Sequence, residues 1–485
     1  MANLKDILYN VSLVAIEGSR DLQVTGLAFD SRKVREGYLF VAIKGLTVDG
    51  HQFIEAALTK GAVAIVCQEL PEPLKDGVTY VQARDSSKAL GVIADNYYDH
   101  PSSKLKLIGV TGTNGKTTTA TLLYNLYQHL GYKASLLSTV ENKVDHKVLP
   151  ASFTTPDALQ LNELLNDMVE AGSTHCFMEV SSHALSQGRV EGVAFTGAVF
   201  TNISHDHLDY HQTFENYIAA KKLLFDGLSK KAFALTNVDD KRGMVMLQNT
   251  KAAKRTYGIK SVADYKGKIL SDSFQGLQLN LDGLEVWCRL IGRFNAYNLL
   301  VAYAVALELG EERENLLAAL SSMEGARGRF QQIPNGSGVT AIVDYAHTPD
   351  ALENVLSTIT ELRTRNEQLI TVVGCGGDRD REKRPEMARI AAKMSDKVIL
   401  TSDNPRTEDP ELILTDMMEG VPKSEQRKTM KVTDRKEAIR VACNMANAED
   451  IILVAGKGHE TYQEINGERF PFDDKEILNE LLNNY

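Results

Sequence analysis

The chain has 485 residues, of which 43% are hydrophobic and 24% charged, with a formal net charge of −10. That length exceeds a single core and suggests about three domains, and the composition rules against wholesale disorder. The acidic balance argues against non-specific nucleic-acid binding, five scattered cysteines (Cys67, Cys176, Cys288, Cys375, Cys443) read as reduced thiols, and no apolar run suits a signal peptide or a membrane span, so a cytoplasmic protein is expected.

Taken in chain order, residues 1–103 form a first α/β unit. Short buried strands are expected at 40–43 and 63–66, with a helix over 53–58 between them. Residues 97–103, with Pro101 and two serines, read as a linker. An apolar run at Leu105, Leu107 and Ile108 then leads into Gly-Thr-Asn-Gly-Lys-Thr-Thr at 112–118. A helical pattern follows at Leu122, Leu123, Leu126, Tyr127 and Leu130, closed by Gly131. Strand, glycine-rich turn and helix start make a phosphate cradle, with inward backbone N–H groups, Lys116 for the outer phosphates and Thr117 for Mg2+. The strict Walker pattern wants glycine where Val110 stands. In this context the segment still points to a nucleoside triphosphate.

Apolar runs at 176–180 and 197–203 each end in polar residues, as parallel strands do where they meet a ligand. Glu179 ends the first and is placed to hold Mg2+, or else neighbours a helix N-cap. Between 205 and 211 stand three histidines and two aspartates, a density that favours metal or phosphate chemistry, with zinc the lesser reading. Lys221, on an amphipathic helix, reads on pattern alone as solvated or snorkelling. A helix over 295–309 and the stretch to Arg329 complete a second unit. The third has strands at 339–343, 369–373, 397–401 and 451–455, each running into polar residues at its carboxyl end. The fold class expected is therefore α/β.

Five segments together carry a resemblance: Gly-Thr-Asn-Gly-Lys-Thr-Thr, Met-Glu-Val-Ser-Ser-His at 178–183, Asn-Ile-Ser-His-Asp-His-Leu-Asp at 202–209, Ala-Ala-Lys-Lys-Leu-Leu-Phe at 219–225, and Gly-Arg-Phe-Asn-Ala-Tyr-Asn at 292–298. Over essentially its whole length the chain resembles the Mur ligase family, ATP-dependent amide-forming enzymes of peptidoglycan precursor synthesis. It is most similar to the branch that adds the third amino acid to UDP-N-acetylmuramoyl-L-alanyl-D-glutamate. The resemblance implies a UDP-precursor-binding domain over 1–103, a central P-loop parallel-sheet ATPase domain over 104–330, and a C-terminal Rossmann-like amino-acid-binding domain over 331–485. It implies ATP, two Mg2+ ions, a monomer, an acyl phosphate and an N6-carboxylysine at Lys221.

Site roles follow by position. Gly112, Thr113, Asn114, Gly115, Lys116, Thr117 and Thr118 would cradle ATP, with Asn295 against adenine and Arg329 and Asp344 on phosphate and ribose. Thr117, Glu179, His207 and carboxylated Lys221 would serve the metals. Ser31 matches the uridine-nucleotide wall, and Thr154, Thr155, Ser181, Gln187 and Arg189 match contacts to the muramoyl-dipeptide and its diphosphate. Each threonine could equally be a turn residue.

Arg379, Asn404, Arg406, Gly456 and Glu460 match the pocket for the incoming amino acid. Meso-diaminopimelate is lysine with a second carboxylate at its far end, which would pair with Arg406. With lysine as substrate the same guanidinium would face an ammonium. The bland reading of Arg406 is a surface residue after a turn proline. The alternatives are a lysine-adding or other Mur or folylpolyglutamate-type ligase, and a nucleotide-binding regulatory protein without catalysis.

Overall fold

Most of the apolar runs that lead into polar clusters become parallel strands, because their side chains are buried on both faces of a sheet. The computed structural model of the protein describes residues 1–485 except 46, 47, 152, 205, 207, 365, 484 and 485. His207 thus lies outside the described residues. The chain is α/β throughout and forms two compact units, Met1–Asp264 with Val305–Gly310, and Tyr265–Ala304 with Glu311–Tyr485.

Besides a short pairing of Ala2–Asn3 with Gln23–Val24, two larger sheets organise the first unit. One is ordered Leu13–Glu17, Thr79–Ala83, Ala64–Cys67, Tyr38–Val41, Gly26–Ala28, with only its first pair antiparallel. In the other, Ala134–Leu137, His175–Glu179, Lys106–Thr111, Gly197–Phe200, Phe233–Asn237 and Ala253–Gly258 run parallel in that order. Lys106–Thr111 is flanked by the strand ending in Glu179 and the strand leading to Thr201, so residues 112–115 emerge between them. Such a crevice at the carboxyl ends is where open α/β sheets bind ligands.

Two sequence expectations are corrected here. The strand expected to reach 203 stops at Phe200: beyond one last bond from the Thr201 N–H to Thr111 O at 3.0 Å, the Thr201 hydroxyl and the Asn202 side chain turn to the loop after Lys106–Thr111. The expected linker at 97–103 is anchored: Tyr97 closes the helix Ser86–Tyr97, and Pro101–Lys104 is a 3-10 turn whose buried Ser102 hydroxyl accepts the Ala194 N–H at 2.9 Å.

The second unit opens with an antiparallel meander, Tyr265–Ser273, Gly276–Leu281 and Leu284–Cys288, which the sequence reading did not foresee. Its main sheet is ordered Gln331–Ile333, Thr340–Asp344, Ile451–Ala455, Leu369–Cys375, Lys397–Ser402, Thr429–Lys431, parallel except at the first strand. Pro349–Leu362, Lys383–Met394 and Pro410–Glu419 pack on one face, and Arg435–Met445 and Asp474–Asn483 on the other. This is a doubly wound, Rossmann-like layer arrangement. All five cysteines are free thiols, and among the described residues no helix is long and apolar enough to cross a membrane.

Candidate functional site

The loop at 112–115 is held by the neighbouring strand end. Thr113 N–H donates to Asn202 O at 2.8 Å, Asn114 N–H to Asn202 Oδ1 at 2.9 Å, and Thr201 Oγ1–H to Asn114 O at 2.6 Å. Gly112 has φ 153° and lies so close to Thr201 that a Cβ there would meet Oγ1 at 1.9 Å. Gly115, at φ 84°, turns the chain into the helix Lys116–His129. The first N–H groups of that helix have no intrahelical acceptors and its dipole favours an anion. Lys116 Nζ folds back onto Gly112 O at 2.9 Å and Thr113 O at 2.8 Å. Thr117 and Thr118 are buried behind it.

Lys221 is brought to the same loop from 109 residues away: its Nζ donates to Gly112 O at 2.8 Å. The residue is 1% exposed, which overturns the solvated reading. Its amine sits over the Tyr217 ring at 4.5 Å, and the Tyr217 hydroxyl lies 3.1 Å from Thr113 Oγ1. Burial first, then the Lys116 charge, pushes the Lys221 amine well below the ordinary lysine range, with Asp206 opposing. A neutral amine is a nucleophile; an ammonium is not.

Glu179 is 0% exposed at the end of its strand. Thr139 fixes it, its N–H on Oε1 at 2.7 Å and its hydroxyl on Oε2 at 3.2 Å. The same hydroxyl reaches Thr154 Oγ1 at 3.1 Å. Thr155 Oγ1–H donates to Glu179 O at 2.9 Å and accepts the Ser181 N–H at 3.1 Å, while Ser181 caps the helix Ser182–Ser186. Arg189 donates to Thr155 O at 2.8 Å and holds Gln187 Oε1 through two N–H groups at 2.9 and 2.7 Å; Gln187 Nε2–H reaches the Tyr210 hydroxyl at 3.3 Å. Thr154, Thr155, Ser181, Gln187 and Arg189, expected to contact one substrate, are thus joined in one network with Glu179. Beside it a cavity of about 490 Å3 is lined by Ser186, Tyr210, His211, Asn216 and Leu223. Ser31 lies apart, half-buried at the start of the 3-10 turn Ser31–Lys33.

In the second unit, Asn295 uses both ends of its amide inside its own helix, donating to Ile291 O at 2.8 Å and accepting from Asn298 at 2.9 Å. Arg329 stacks over Tyr345 at 4.6 Å. Asp344 Oδ2 accepts the Phe330 N–H at 2.6 Å, and burial, opposed by Arg329 and two backbone N–H groups, pushes its carboxyl up to about 6.

The expected amino-acid pocket assembles at the carboxyl ends of Leu369–Cys375, Lys397–Ser402 and Ile451–Ala455. Asn404 Nδ2–H donates to Glu460 Oε2 at 2.8 Å. Arg406 donates to Gly377 O at 2.7 Å and lies 3.7 Å from Glu464 Oε2. A Cβ on Gly376 would meet Arg406 Nη1 at 2.9 Å and Arg379 Cγ at 3.9 Å, so both arginines flank it. Buried Arg384 braces the two loops by pairing with Glu408 at 2.8 Å, while Glu408 Oε1 takes the Asp378 N–H at 2.6 Å. Gly456, at φ 117°, approaches Asp403 so closely that a Cβ would lie 2.7 Å from Oδ2.

Sequence reasoning missed Thr139, Thr201, Asn202, Tyr217, Arg384, Lys457 and Glu464. Thr201, Asn202 and Lys457 left a signal, as polar residues following an apolar run.

Three family models match the chain: Mur ligase family, catalytic domain, over 23–98; Mur ligase middle domain over 110–306; and Mur ligase, glutamate ligase domain, over 328–458. The chain is 59% identical over 480 residues to the UDP-N-acetylmuramoyl-L-alanyl-D-glutamate--2,6-diaminopimelate ligase of Cytophaga hutchinsonii, covering 99% of each. A solved structure of a ligase of that name is 36% identical with a TM-score of 0.71, covering 99% of this chain and 98% of that one. The MurF ligase of Thermotoga maritima, solved in complex with ADP, shares the fold at a TM-score of 0.63 and 21% identity, over 94% of this chain and 96% of its own. Matched by three family models over most of its length, and 59% identical to a ligase of which it covers 99%, the chain belongs to the Mur ligase family.

Proposed function

We propose that this chain is a cytoplasmic ATP-dependent ligase that joins meso-2,6-diaminopimelate to the D-glutamyl γ-carboxylate of UDP-N-acetylmuramoyl-L-alanyl-D-glutamate during peptidoglycan precursor synthesis. The observation that carries it is the presence of opposite charges at the carboxyl ends of one sheet: the Arg406 guanidinium, 2.7 Å from Gly377 O, follows Lys397–Ser402, and the Glu460 carboxylate, 2.8 Å from the Asn404 amide, follows Ile451–Ala455, with Leu369–Cys375 between the two strands. A substrate end bearing both a carboxylate and an ammonium satisfies both. In this reading residues 1–103 bind the UDP precursor, 104–330 bind ATP, and 331–485 bind the amino acid.

The glutamyl carboxylate takes the terminal phosphoryl group of ATP, and the resulting acyl phosphate is attacked by the amine of the incoming amino acid, releasing phosphate. Lys116 and the N–H groups of the cradle offset negative charge on the phosphates. Thr154, Thr155, Ser181, Gln187 and Arg189 hold the dipeptide precursor, with the planar Arg189 fork suited to carboxylate or phosphate. Asn295, Arg329 and Asp344 serve the nucleotide. Positioning and electrostatics supply the rate, with no covalent bond to the enzyme.

The donor set suits Mg2+, since the Thr117 hydroxyl and the Glu179 carboxylate are oxygen ligands. Bound Mg2+ would neutralise charge on the transferred phosphoryl group. Lys221 fits such a site only after its neutral Nζ attacks CO2, forming an N–C bond and losing a proton to water. The carbamate anion so formed is favoured by the Lys116 charge that disfavours the ammonium.

Phosphate release dependent on the added amino acid tests the proposal. Turnover with meso-diaminopimelate is expected, and turnover with lysine alone would refute the assignment.

A further inference from the structure

Lys457 has no part in the reaction described so far, yet its ammonium is 0% exposed and lies inside the amino-acid pocket. Two glycines force it there. Gly456 at φ 117° would drive a Cβ to 2.7 Å from Asp403 Oδ2, and Gly458 at φ 54° would drive one to 2.6 Å from Tyr345 Cβ and 2.7 Å from Gly328 O. Larger residues are excluded on both sides, so the turn between them keeps one path and carries the lysine inward.

The ammonium reaches Asn404 Oδ1 at 2.9 Å, Glu460 Oε2 at 3.0 Å and Asp403 Oδ1 at 3.8 Å. Asn404 Oδ1 also accepts the Glu464 N–H at 3.0 Å, so its two acceptor positions are filled and its amide cannot flip without losing both donors. Glu460 Oε2 is likewise shared between Lys457 and Asn404 Nδ2–H, which leaves Oε1 as the oxygen available to a ligand. The charge count is equally specific. Asp403 and Glu460 are two carboxylates and Lys457 cancels one of them, while Arg435 behind is matched by the fully buried Asp474 at 2.7 Å. One negative charge remains, which a single ammonium neutralises.

We propose that Lys457 is a positioning residue of the amino-acid site: it locks Asn404 and Glu460 in the orientation that receives the substrate ammonium and sets the charge of that subsite to minus one. This rests on the reading of the pocket as the diaminopimelate site. Without the ammonium, Asn404 Oδ1 keeps only the Glu464 N–H of its two donors, and Glu460 faces Asp403 with no lysine between them.

The experiment is steady-state phosphate release by the full chain, varying meso-diaminopimelate, ATP and the UDP-dipeptide in turn, for wild type, Lys457→Met, Lys457→Gln, Glu460→Gln and the double variant Lys457→Met with Glu460→Gln. Lys457→Met should raise KM for diaminopimelate at least tenfold with kcat changed less than threefold and the KM values of ATP and UDP-dipeptide unchanged. Lys457→Gln, which keeps a hydrogen-bonding group, should fall between and remains informative if the methionine variant does not fold. The double variant should lose little beyond the worse single one, because both changes break the same contact. Unchanged KM for diaminopimelate, or an equal rise for all three substrates, overturns the proposal. Wild type showing no diaminopimelate-dependent release would instead overturn the assignment of the pocket itself.

Discussion

Replacing Lys221 by methionine separates what its amine does from what its stem fills. Methionine occupies a similar volume, so the cavity penalty of about 2–5 kcal/mol that follows truncation of a long buried side chain is largely avoided. What is lost is one hydrogen bond, to Gly112 O at 2.8 Å, worth about 1 kcal/mol. What is relieved is the burial of a potential cation beside Lys116. The sign with pH follows from the depressed pKa. Between the folded value and the ordinary lysine value the unfolded chain binds more protons, so wild-type stability rises with pH and the cost of the lysine fades. In CO2-free buffer the methionine variant should therefore melt above wild type at pH 7, with the gap closing toward pH 10. Activity should move the other way, falling at least about 100-fold if the carbamate is a metal ligand, since even outer-shell partners cost about 10–100-fold. Thermal melts across that range, with phosphate release measured before and after restoring bicarbonate, read both effects. Wild type should regain turnover with bicarbonate and the methionine variant should not, whereas Lys221→Ala should recover partly with acetate. Full activity in the methionine variant, or a melting gap indifferent to pH, refutes the reasoning.

Glu179→Gln keeps acceptors for the Thr139 N–H but removes the charge, so the fold should hold while kcat falls about 100-fold and the Mg2+ requirement rises, read by Mg2+ titration of phosphate release. Arg406→Met should lower kcat/KM for diaminopimelate by about 30-fold or more, the low end for truncating one partner of a buried charged pair, because its side chain is 21% exposed; kcat/KM for lysine should change less than threefold. Asp344, pushed up to about 6 from 3.8, loses stability as pH rises through that window; Asp344→Asn should therefore gain at most about 3 kcal/mol above pH 6 and nothing near pH 3, as read by urea denaturation.

The cradle was legible because its parts are consecutive: strand, glycines, lysine and helix start lie within 25 residues. The residues of the candidate amino-acid pocket could be gathered only through resemblance, since Arg379, Arg406 and Glu460 stand on three strand ends far apart in the chain. Lys221 shows the limit of pattern reading and how it could have been extended. The buried positions of Phe214–Asp226 are Tyr217, Ala220, Lys221, Leu224 and Phe225, the i, i+3, i+4, i+7, i+8 stripe of an amphipathic helix. Lys221 lies on that stripe, while its neighbour Lys222 pairs with Asp226 at 2.6 Å on the rim. The stripe marks the lysine as inward but says nothing of the carbonyl it meets. The partners of Arg384 and Lys457 were unreadable for the same reason, being set by strand order, although Lys457 stands in the polar run after 451–455. The meander of Tyr265–Cys288 was missed although alternating Leu277, Leu279 and Leu281 are buried along one face of its middle strand.

Four buried cations serve these sites, and their company distinguishes them. Arg435 is matched by Asp474, Arg384 by Glu408 and Asp416, and Lys457 by Glu460 and Asp403. Each stands against carboxylates that would be buried without a counterion if it were replaced by an apolar residue. Lys221 is the exception. Among the described residues its amine meets a neutral carbonyl and an aromatic face and feels the charge of a second lysine, with Asp206 opposing electrostatically. A structural ion pair would have placed a carboxylate in contact. A lysine whose ammonium is disfavoured by burial and by a neighbouring cation suits the carbamate proposed above, which would give it negative charge. Under that proposal Lys116, whose charge already disfavours the Lys221 ammonium, would also balance the carbamate anion once formed. Lys116→Met should therefore reduce carbamylation of Lys221 as well as turnover, and 13C-bicarbonate labelling followed by NMR of the carbamate carbon measures the first independently of the second. An unchanged carbamate signal in that variant would break the link between the two lysines.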